Sequence, residues 1–526
     1  MIGVLRGWST KHRDSISHAV RTAALLGIIC APFELTPARA ADLPALTSVI
    51  VRGSTVYDAP QLFAVYRERL GKPIDLDGAR AIVAALVSKY ETDGYPRPQV
   101  RVDDALVAAG VLRLDVFEAR IAAVDIKGNP GPHLARLERL SGALRDDAPV
   151  TPAGLQAALR RMRELPGLTL AASTARDPDE PNAYRLNLDT QFDRVSGTVR
   201  LTNRGTDEAG PNFVLGQVVA NGLFGGETSL GALFGAATDY DEYHGLGFTG
   251  TVGLTDRGTR LSFMGFRSRS DPHEAVLDRD DLYLRDLVTI GATRPLPGVT
   301  RAIAAITVGL GLDDLTILRS DTPLRDERLR KLEIGTRWFW RLGTANQYAA
   351  SFDVSKGLRG LGSRLTAYDL VDDPRRADFT LTRASFTRLT RFGDLWSMRL
   401  DALAQTSAYV LPYGERFKIG GDRLGRGFEV AEIAGDQALG AKLEGRRRLP
   451  RSPAALGSTS VYGFYDIGAA WKQDAPLVES AATAGFGIAT ESGRVSGSLE
   501  IAEPLTHADV EGRKRVAVFA EVAVRL

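Results

Sequence analysis

The stretch Arg328-Leu-Arg-Lys-Leu-Glu-Ile-Gly-Thr-Arg-Trp-Phe-Trp-Arg-Leu342 alternates between two kinds of side chain. From Leu332 to Leu342 every second position is apolar or threonine, and the positions between are charged or glycine, with Phe339 the exception. Successive residues of a strand point to opposite faces of the sheet, so this period of two predicts a strand with one apolar face and one charged face. A soluble sandwich would bury the apolar face, whereas a membrane barrel would turn it toward lipid and line its lumen with the charged face.

The same alternation recurs from residue 193 to the end of the chain. Sixteen strand-like segments begin near residues 196, 212, 228, 243, 259, 282, 301, 329, 346, 377, 395, 437, 459, 481, 494 and 513. Their average spacing of about 21 residues leaves room for a tilted membrane crossing of ~9–11 residues and its turn or loop. The even strand number, and a Trp338/Trp340 pair suited to a membrane interface, favour a transmembrane barrel over a sandwich.

Residues 1–40 are predicted to form a secretory signal peptide. Basic residues up to Arg21 precede the apolar segment Thr22–Phe33, and Ala38-Arg-Ala40 provides a cleavage site. The apolar segment is too short to span a bilayer. Cleavage after Ala40 would remove Cys30, the chain's single cysteine, so no disulfide is expected in the exported protein.

The charge balance gives no indication of a nucleic-acid partner. The formal net charge is +2, but residues 1–40 hold five basic and two acidic groups, which leaves 61 basic against 62 acidic groups in the rest of the chain. A domain that binds nucleic acid would be expected to carry an excess of basic groups.

Two small modules with alternating strand and helix patterns precede the barrel. Leu46–Phe117 shows the order strand, helix, helix, strand, strand, and a second unit runs from Ile121 to Asp189. Neither module contains a cluster of histidine, cysteine or carboxylate residues that suggests a reaction. The expected boundaries are 1–40 for the signal peptide, 41–118 and 119–192 for the modules, and 193–526 for the barrel.

A long glycine-rich segment lies between the eleventh and twelfth predicted strands. It contains Phe417-Lys-Ile-Gly-Gly-Asp-Arg-Leu-Gly-Arg-Gly-Phe428 and belongs to a loop expected at 409–436. A hairpin needs only two to five loop residues, so a loop of this length is expected to have a role or to be disordered.

No motif in the sequence supports catalysis, a cofactor or a metal. Gly245–Gly250 fits the dinucleotide fingerprint, but a strand pattern follows it where a helix is required. The acidic segment at Asp278 lacks the glycine and the terminal glutamate of a calcium loop. Four histidines remain after residue 40, and they are far apart in the sequence: His133, His244, His273 and His507.

The first module resembles a POTRA domain, and the second does so to a lesser degree. The resemblance is carried by Arg52-Gly-Ser-Thr55, Leu70-Gly-Lys-Pro73, Gly94-Tyr95 and Gly110-Val-Leu112. It implies an exposed sheet edge and an adjacent helix groove that receive an extended client chain by strand addition. The expected fold class is therefore α+β POTRA modules followed by an all-β, 16-stranded antiparallel transmembrane barrel.

With these modules before such a barrel, the chain resembles the outer-membrane transporters of two-partner secretion, the hemolysin secretion/activation protein family. Two family motifs match, Arg426-Gly427-Phe428 and Phe464-x-Asp466-x-Gly468. In the family the first motif lies at the tip of a loop folded back into the lumen, and its arginine pairs with the aspartate of the second. Gly427 is expected to provide a tight turn beside the arginine. Gly425 departs from the family, which usually has an aliphatic residue there, and Leu526 replaces the usual terminal aromatic residue.

The resemblance implies a pore in the bacterial outer membrane with its POTRA domains in the periplasm. Its expected partners are an unfolded exported protein as cargo, outer-membrane lipid, and the barrel assembly machinery during biogenesis, with no nucleic acid. A monomer that is not an enzyme and needs no cofactor is expected. Two alternatives remain open: a factor of the same superfamily that inserts other barrels, and a solute porin.

Overall fold

The computed structural model describes residues 43–146, 149–206, 210–274, 279–296, 302–370, 372–453, 456–475, 477–506 and 516–526. The predicted signal peptide with Cys30, Asp278 and His507 lie outside the described residues. No helix within these ranges has the length and apolar character needed to cross a membrane.

The first module packs helices against a three-stranded sheet. Its elements are β1 (Ser48–Arg52), α1 (Ala59–Tyr66), α2 (Leu76–Thr92), β2 (Gln99–Val102), α3 (Asp104–Val107) and β3 (Val111–Phe117). The order is β1-β3-β2, with β1 parallel and β2 antiparallel to β3. Helix α2 begins after Asp75, which accepts a hydrogen bond from the Gly78 amide at 2.7 Å. Its apolar face, including Leu86 and Tyr90, is buried in a core shared with Leu112.

The turn Arg52–Thr55 is held in place by contacts with residues at the end of β3. Gly53 has a φ of +80°, and a Cβ there would lie 2.3 Å from the Val116 carbonyl oxygen, so only glycine fits. The Glu118 carboxylate accepts hydrogen bonds from the Thr55 amide at 2.9 Å and the Tyr90 hydroxyl at 2.6 Å. Burial, together with this carboxylate, raises the pKa of Tyr90.

The second module repeats the plan with two helices. Its elements are β4 (Arg120–Gly128), α4 (Leu134–Asp146), α5 (Pro152–Arg163), β5 (Leu168–Arg176) and β6 (Ala183–Phe192), in the sheet order β4-β6-β5. Strand β5 is absent from the predicted pattern because only Leu168 and Leu170 of its nine residues are buried, so its alternation stops after three positions.

The rest of the chain forms a closed antiparallel barrel and an inner hairpin. The strands are β7 (Val195–Thr202), β8 (Phe213–Asn221), β9 (Thr228–Ala237), β10 (Tyr243–Gly253), β11 (Arg260–Ser270), β12 (His273–Glu274), β13 (Arg279–Pro295), β14 (Ala302–Arg319), β15 (Thr322–Leu342), β16 (Asn346–Gly357), β17 (Arg364–Ala367), β18 (Thr380–Phe392), β19 (Trp396–Ser407), β20 (Phe417–Ile419), β21 (Ile433–Gly435), β22 (Gln437–Arg448), β23 (Ser458–Trp471), β24 (Val478–Ser492), β25 (Val495–Pro504) and β26 (Ala517–Arg525).

The described part of the wall has sixteen strands, as predicted. Strands β12 and β17 are short additions paired to β13 and β15, and β20 and β21 pair only with each other. The remaining sixteen strands form the wall, which closes where β26 pairs with β7. The predicted fold class is confirmed.

The apolar face of each wall strand points outward. On β15, Ile334 and Trp338 remain 46% and 37% exposed, whereas Lys331 on the opposite face reaches a buried partner in the lumen. Trp340, near the end of the same strand, stacks on Tyr348 of β16 with ring centroids 5.3 Å apart. Trp340 of the predicted Trp338/Trp340 pair thus belongs to a larger aromatic cluster.

The second module defines one end of the barrel, called here the module end. Strand β7 starts three residues after β6 ends, so the odd-numbered wall strands begin at this end. Arg136 of α4 forms ion pairs with Glu227 and Asp256 in the turns after the second and fourth wall strands. Arg260 donates a hydrogen bond to the Glu164 carbonyl at 2.6 Å.

Candidate functional site in the barrel lumen

The connection between β19 and β22, the eleventh and twelfth wall strands, folds back into the lumen. Its β20–β21 hairpin is stabilised by an apolar cluster that packs on the inner wall. The cluster contains Phe417, Ile419, Leu424, Phe428 and Ile433 from the connection and Ala438, Ala470 and Ala481 from the wall. Residues 408–436, called here the lumen loop, are therefore an ordered element, and Phe428 contributes as an apolar anchor that is 4% exposed.

Arg426 and Asp466 form a buried, bidentate ion pair. Arg426 Nη2 lies 2.9 Å from Asp466 Oδ1, and Arg426 Nε lies 3.1 Å from Asp466 Oδ2. The backbone amides of Gly425 and Arg426 also donate to Asp466 Oδ2, each at 3.2 Å. Arg426 is 6% and Asp466 0% exposed. The carboxylate therefore receives four hydrogen bonds in a site that bulk water does not reach.

Two further carboxylates face the same guanidinium, and the sequence did not indicate either of them. Arg426 Nη1 lies 3.1 Å from Glu444 Oε2 on β22 and 3.5 Å from Glu500 Oε2 on β25. Glu500 is also paired with Arg204 at 2.7 Å, and Glu444 with Arg446 at 3.0 Å. These ion pairs link three arginines with three carboxylates, and Arg204 also pairs with the exposed Asp422, so each buried carboxylate has a cationic partner.

Each residue of the Phe464-x-Asp466-x-Gly468 motif contacts the lumen loop. The Arg426 guanidinium lies 3.5 Å from the centre of the Phe464 ring, a cation–π contact. A Cβ on Gly468 would lie 2.7 Å from Leu424 Cδ2, and a Cβ on Gly440 would lie 2.3 Å from the same atom. Gly440 and Gly468 are paired in register, so together they leave the space that Leu424 fills.

Gly427 lies in the expected tight turn beside Arg426, since the Phe428 amide donates a hydrogen bond to the Gly425 carbonyl oxygen at 2.9 Å, but the glycine with the left-handed backbone is Gly425. Gly425 has a φ of +84°, a conformation that an aliphatic residue would rarely adopt. Gly427 is not among the residues with positive φ. Its hydrogen lies against the wall instead, since a Cβ would come within 2.8 Å of Thr483 Cγ2 and 3.0 Å of the Pro504 nitrogen. The departure from the family at Gly425 thus has a conformational reason in this chain.

Replacing Gly468 with valine is expected to expel Leu424 from its space and weaken loop docking. The predicted cost is about 1–3 kcal/mol in barrel stability, typical of overpacking. The comparison is Gly265→Val on the lipid side of β11, where an added Cβ meets no heavy atom within 4 Å. Heat-modifiable gel mobility, which separates folded from unfolded barrel, would measure both variants. Equal midpoints for the two would contradict the docking role of Gly468.

A second buried anchor attaches the loop to earlier strands of the wall. Glu415, which is 1% exposed, pairs with Lys331 of β15 at 2.8 Å and with Arg383 of β18 at 3.1 Å. Gln405 Nε2 donates to the Glu415 carbonyl oxygen at 3.0 Å. Because Arg426 binds β22, β23 and β25 while Glu415 binds β15 and β18, the loop is attached to two separate groups of wall strands.

Asp436 closes the base of the lumen loop. Its carboxylate is fully buried and accepts hydrogen bonds from the backbone amides of Leu411 and Gln473, both at 2.8 Å. Leu411 lies at the start of the loop and Asp436 at its end, so these contacts join the two ends and tie them to Gln473, two residues after β23.

The chemistry of the lumen is ionic and structural. Within the described ranges no group of three histidine, cysteine, aspartate or glutamate residues could hold a metal ion. The carboxylates around Arg426 are each engaged by arginine. The arrangement can hold or release a loop inside a channel, and it offers no nucleophile paired with a base.

Solved structures share this fold, and a known protein family matches the part of the sequence that contains the lumen loop. The family model of the haemolysin secretion/activation protein ShlB/FhaC/HecB matches residues 317–490, which include Arg426 and Asp466. CdiB from Escherichia coli superposes with a TM-score of 0.75 at 19% identity, covering 94% of each chain. CdiB from Acinetobacter baumannii superposes with a TM-score of 0.65 at 16% identity, covering 93% of this chain and 91% of the other. No curated protein sequence matches the chain.

The family match covers the lumen loop with β22 and β23 and ends before β25, and the structural matches extend over the modules as well. Such transporters are translocation channels of the outer membrane, and they are not enzymes. Their POTRA-like region lies in the periplasm, which makes the module end of this barrel its periplasmic end. Over residues 317–490 the chain therefore matches the haemolysin secretion/activation protein family, and its fold is shared with CdiB.

Proposed function

We propose that the chain captures an unfolded exported protein in the periplasm and passes it through the barrel to the cell surface. The observation that carries the proposal is a lumen loop attached by buried ion pairs inside a channel that has two periplasmic modules at its mouth. Folding of the cargo outside the cell would supply the direction of transport, since no nucleotide-binding motif accompanies the barrel.

The modules offer two features suited to an extended chain. Strands β2 and β5 are edge strands, each paired on one side only, so an incoming segment can add to either sheet through backbone hydrogen bonds. A cavity of about 770 Å³ also lies between the modules, lined by Thr55 and Tyr95 of the first and by Arg139 and Ala158 of the second. Backbone pairing would explain binding that tolerates varied cargo sequences.

The lumen loop closes the resting channel in this mechanism. Its two anchors attach it to two separate groups of wall strands, and the loop occupies lumen space that a cargo chain must use. Passage therefore requires at least one anchor to release. Because the wall is closed and leaves no unpaired edge, a single copy suffices for the pore, and we propose a monomer inserted by the barrel assembly machinery.

Deletion of residues 41–192 is expected to abolish secretion of the partner protein. The reason is that the edge strands that bind cargo are lost while the wall strands remain. Heat-modifiable mobility of the truncated protein would first establish that the barrel is folded in the outer membrane. Undiminished secretion by a folded truncated barrel would refute the role of the modules.

Depletion of the full chain separates secretion from barrel assembly. The secretion proposal predicts the loss of one exported protein from the culture medium and an otherwise unchanged outer-membrane proteome. Loss of many different barrels would favour the assembly-factor alternative instead.

A further inference from the structure

The outside of the barrel carries an apolar cavity near its periplasmic end. The cavity has a volume of about 520 Å³ and lies over β19 and β22–β25. Its lipid-facing lining includes Trp396, Val461, Phe486, Ile488 and Leu499, which are between 37% and 63% exposed. These side chains belong to the outward face of their strands, so the cavity opens toward the membrane and away from the lumen loop.

Two glycines create the depression. Gly445 of β22 and Gly463 of β23 are paired in register, between Met398 and Phe486 in the neighbouring strands. A Cβ on Gly445 would meet no heavy atom within 4 Å, and one on Gly463 would meet only the Gly485 carbonyl oxygen, at 3.8 Å. The wall therefore lacks side chains at two adjacent outward positions, although there is room for them.

An arginine lies at the periplasmic side of this depression. Arg447 occupies the next outward row, paired in register with Trp396 and Val461, one residue before β22 ends. Its guanidinium lies 5.3 Å from the centre of the Trp396 ring, and no described carboxylate forms an ion pair with it. An arginine on the lipid face is tolerated near the membrane interface, where headgroups and aromatic rings meet.

We propose that this cavity binds one phospholipid of the periplasmic leaflet. One acyl chain lies over Gly445 and Gly463 among the apolar side chains, and the phosphate meets Arg447 beside Trp396. The apolar lining matches the chain, and the unpaired guanidinium at the headgroup level matches the charge of the phosphate. The side chains proposed to bind the lipid face outward, away from the cargo path and the lumen loop, although Tyr462, which also lines the cavity, donates a hydrogen bond to Glu500 in the lumen.

Filling the depression tests the acyl-chain part of the site. Native mass spectrometry would count dioleoyl phosphatidylglycerol retained by the full-length protein released from detergent micelles. Wild type is expected to retain one molecule, and Gly445→Leu and Gly463→Leu to retain about tenfold less. The control is Gly265→Leu, an outward glycine of β11 paired with the exposed Phe248, and it should bind as wild type does. Equal retention by Gly445→Leu and wild type would overturn the proposal.

Replacing the arginine tests the phosphate part. Arg447→Ala is expected to reduce phosphatidylglycerol binding about tenfold, the loss of one charge-assisted contact, while Arg447→Lys retains most of it. Dioleoylglycerol, which has the same chains without phosphate, should bind weakly to wild type and be insensitive to Arg447→Ala. Strong competition by inorganic phosphate alone would identify an ion site, and a dimer mass lost in Gly445→Leu would identify a protein contact; either result would overturn the lipid assignment.

Discussion

Arg426→Ala is expected to reduce secretion of the partner protein at least about tenfold and to release the lumen loop. The substitution leaves Asp466, Glu444 and Glu500 facing one another without the cation that joins them. Removing one partner from a buried ion pair costs about 3–5 kcal/mol, which the protein can avoid only by letting water reach the carboxylates. The loop would therefore leave its docked position, and a loop that no longer docks cannot open and close the channel in a controlled way.

Asp466→Ala should have a smaller effect than Arg426→Ala. Arg426 would still contact Glu444 at 3.1 Å and Glu500 at 3.5 Å, so the buried cation keeps two partners. The double variant should be no worse than Arg426→Ala alone, because the shared interaction is already lost. Arg426→Lys should be intermediate, since a lysine keeps the charge but cannot reproduce the two-pronged contact.

Trypsin added to whole cells would report loop release directly. Cleavage after Arg423, which lies in the docked loop over the Phe417 ring, requires that the loop leave the lumen. Wild-type protein should resist, and Arg426→Ala should be cleaved. Strictly additive losses for Arg426→Ala and Asp466→Ala, or a resistant loop in the Arg426→Ala variant, would contradict the pairing as the loop's main anchor.

Glu415→Gln is expected to destabilise the folded barrel by about 3 kcal/mol. Glu415 is the carboxylate shared by Lys331 and Arg383, and its side chain is only 2% exposed. Glutamine keeps the shape but removes the charge, so two buried cations lose their common partner. Lys331 retains Glu333 at 3.0 Å, which limits the cost on that side. Because Glu415 lies near the start of the loop and Arg426 near its tip, the loop should loosen at its base while its tip remains docked.

A carboxylate elsewhere on the same loop provides the control. Asp422 pairs with Arg204 at 3.0 Å, but its side chain is 62% exposed. Asp422→Asn should therefore change stability by no more than about 1 kcal/mol, as for other exposed pairs. The midpoint of heat-modifiable mobility for the two variants measures the difference. Similar midpoints would mean that the Glu415 site is open to water and is not an anchor.

The two anchors differ in how far the sequence could reveal them. Arg426 and Asp466 belong to short motifs, and the spacing of the strands placed their segments next to each other. Glu415 has no motif, and its partners Lys331 and Arg383 lie in strands far earlier in the chain. The period of two indicates which side chains face the lumen, but not which of them meet across it. Glu444 and Glu500 were missed for the same reason.

Local information was therefore sufficient for the architecture. The alternation in stretches such as Arg328–Leu342 predicted sixteen strands and their inward and outward faces, because successive side chains of a strand point to opposite sides of the sheet. The helical periods predicted the two modules in the same way. These properties arise within a few residues of each other, so no tertiary contact was needed to predict them.

The tertiary structure alone decided how the lumen loop is held. Barrel closure, strand register and the path of the loop bring Glu444, Asp466 and Glu500 to one guanidinium and bring Glu415 to Lys331 and Arg383. The same geometry gave Gly425 its left-handed backbone and left Gly445 beside Gly463 on the outer surface. Each of these features depends on contacts between residues distant in the chain, and the alternation of side chains along the sequence does not encode such contacts.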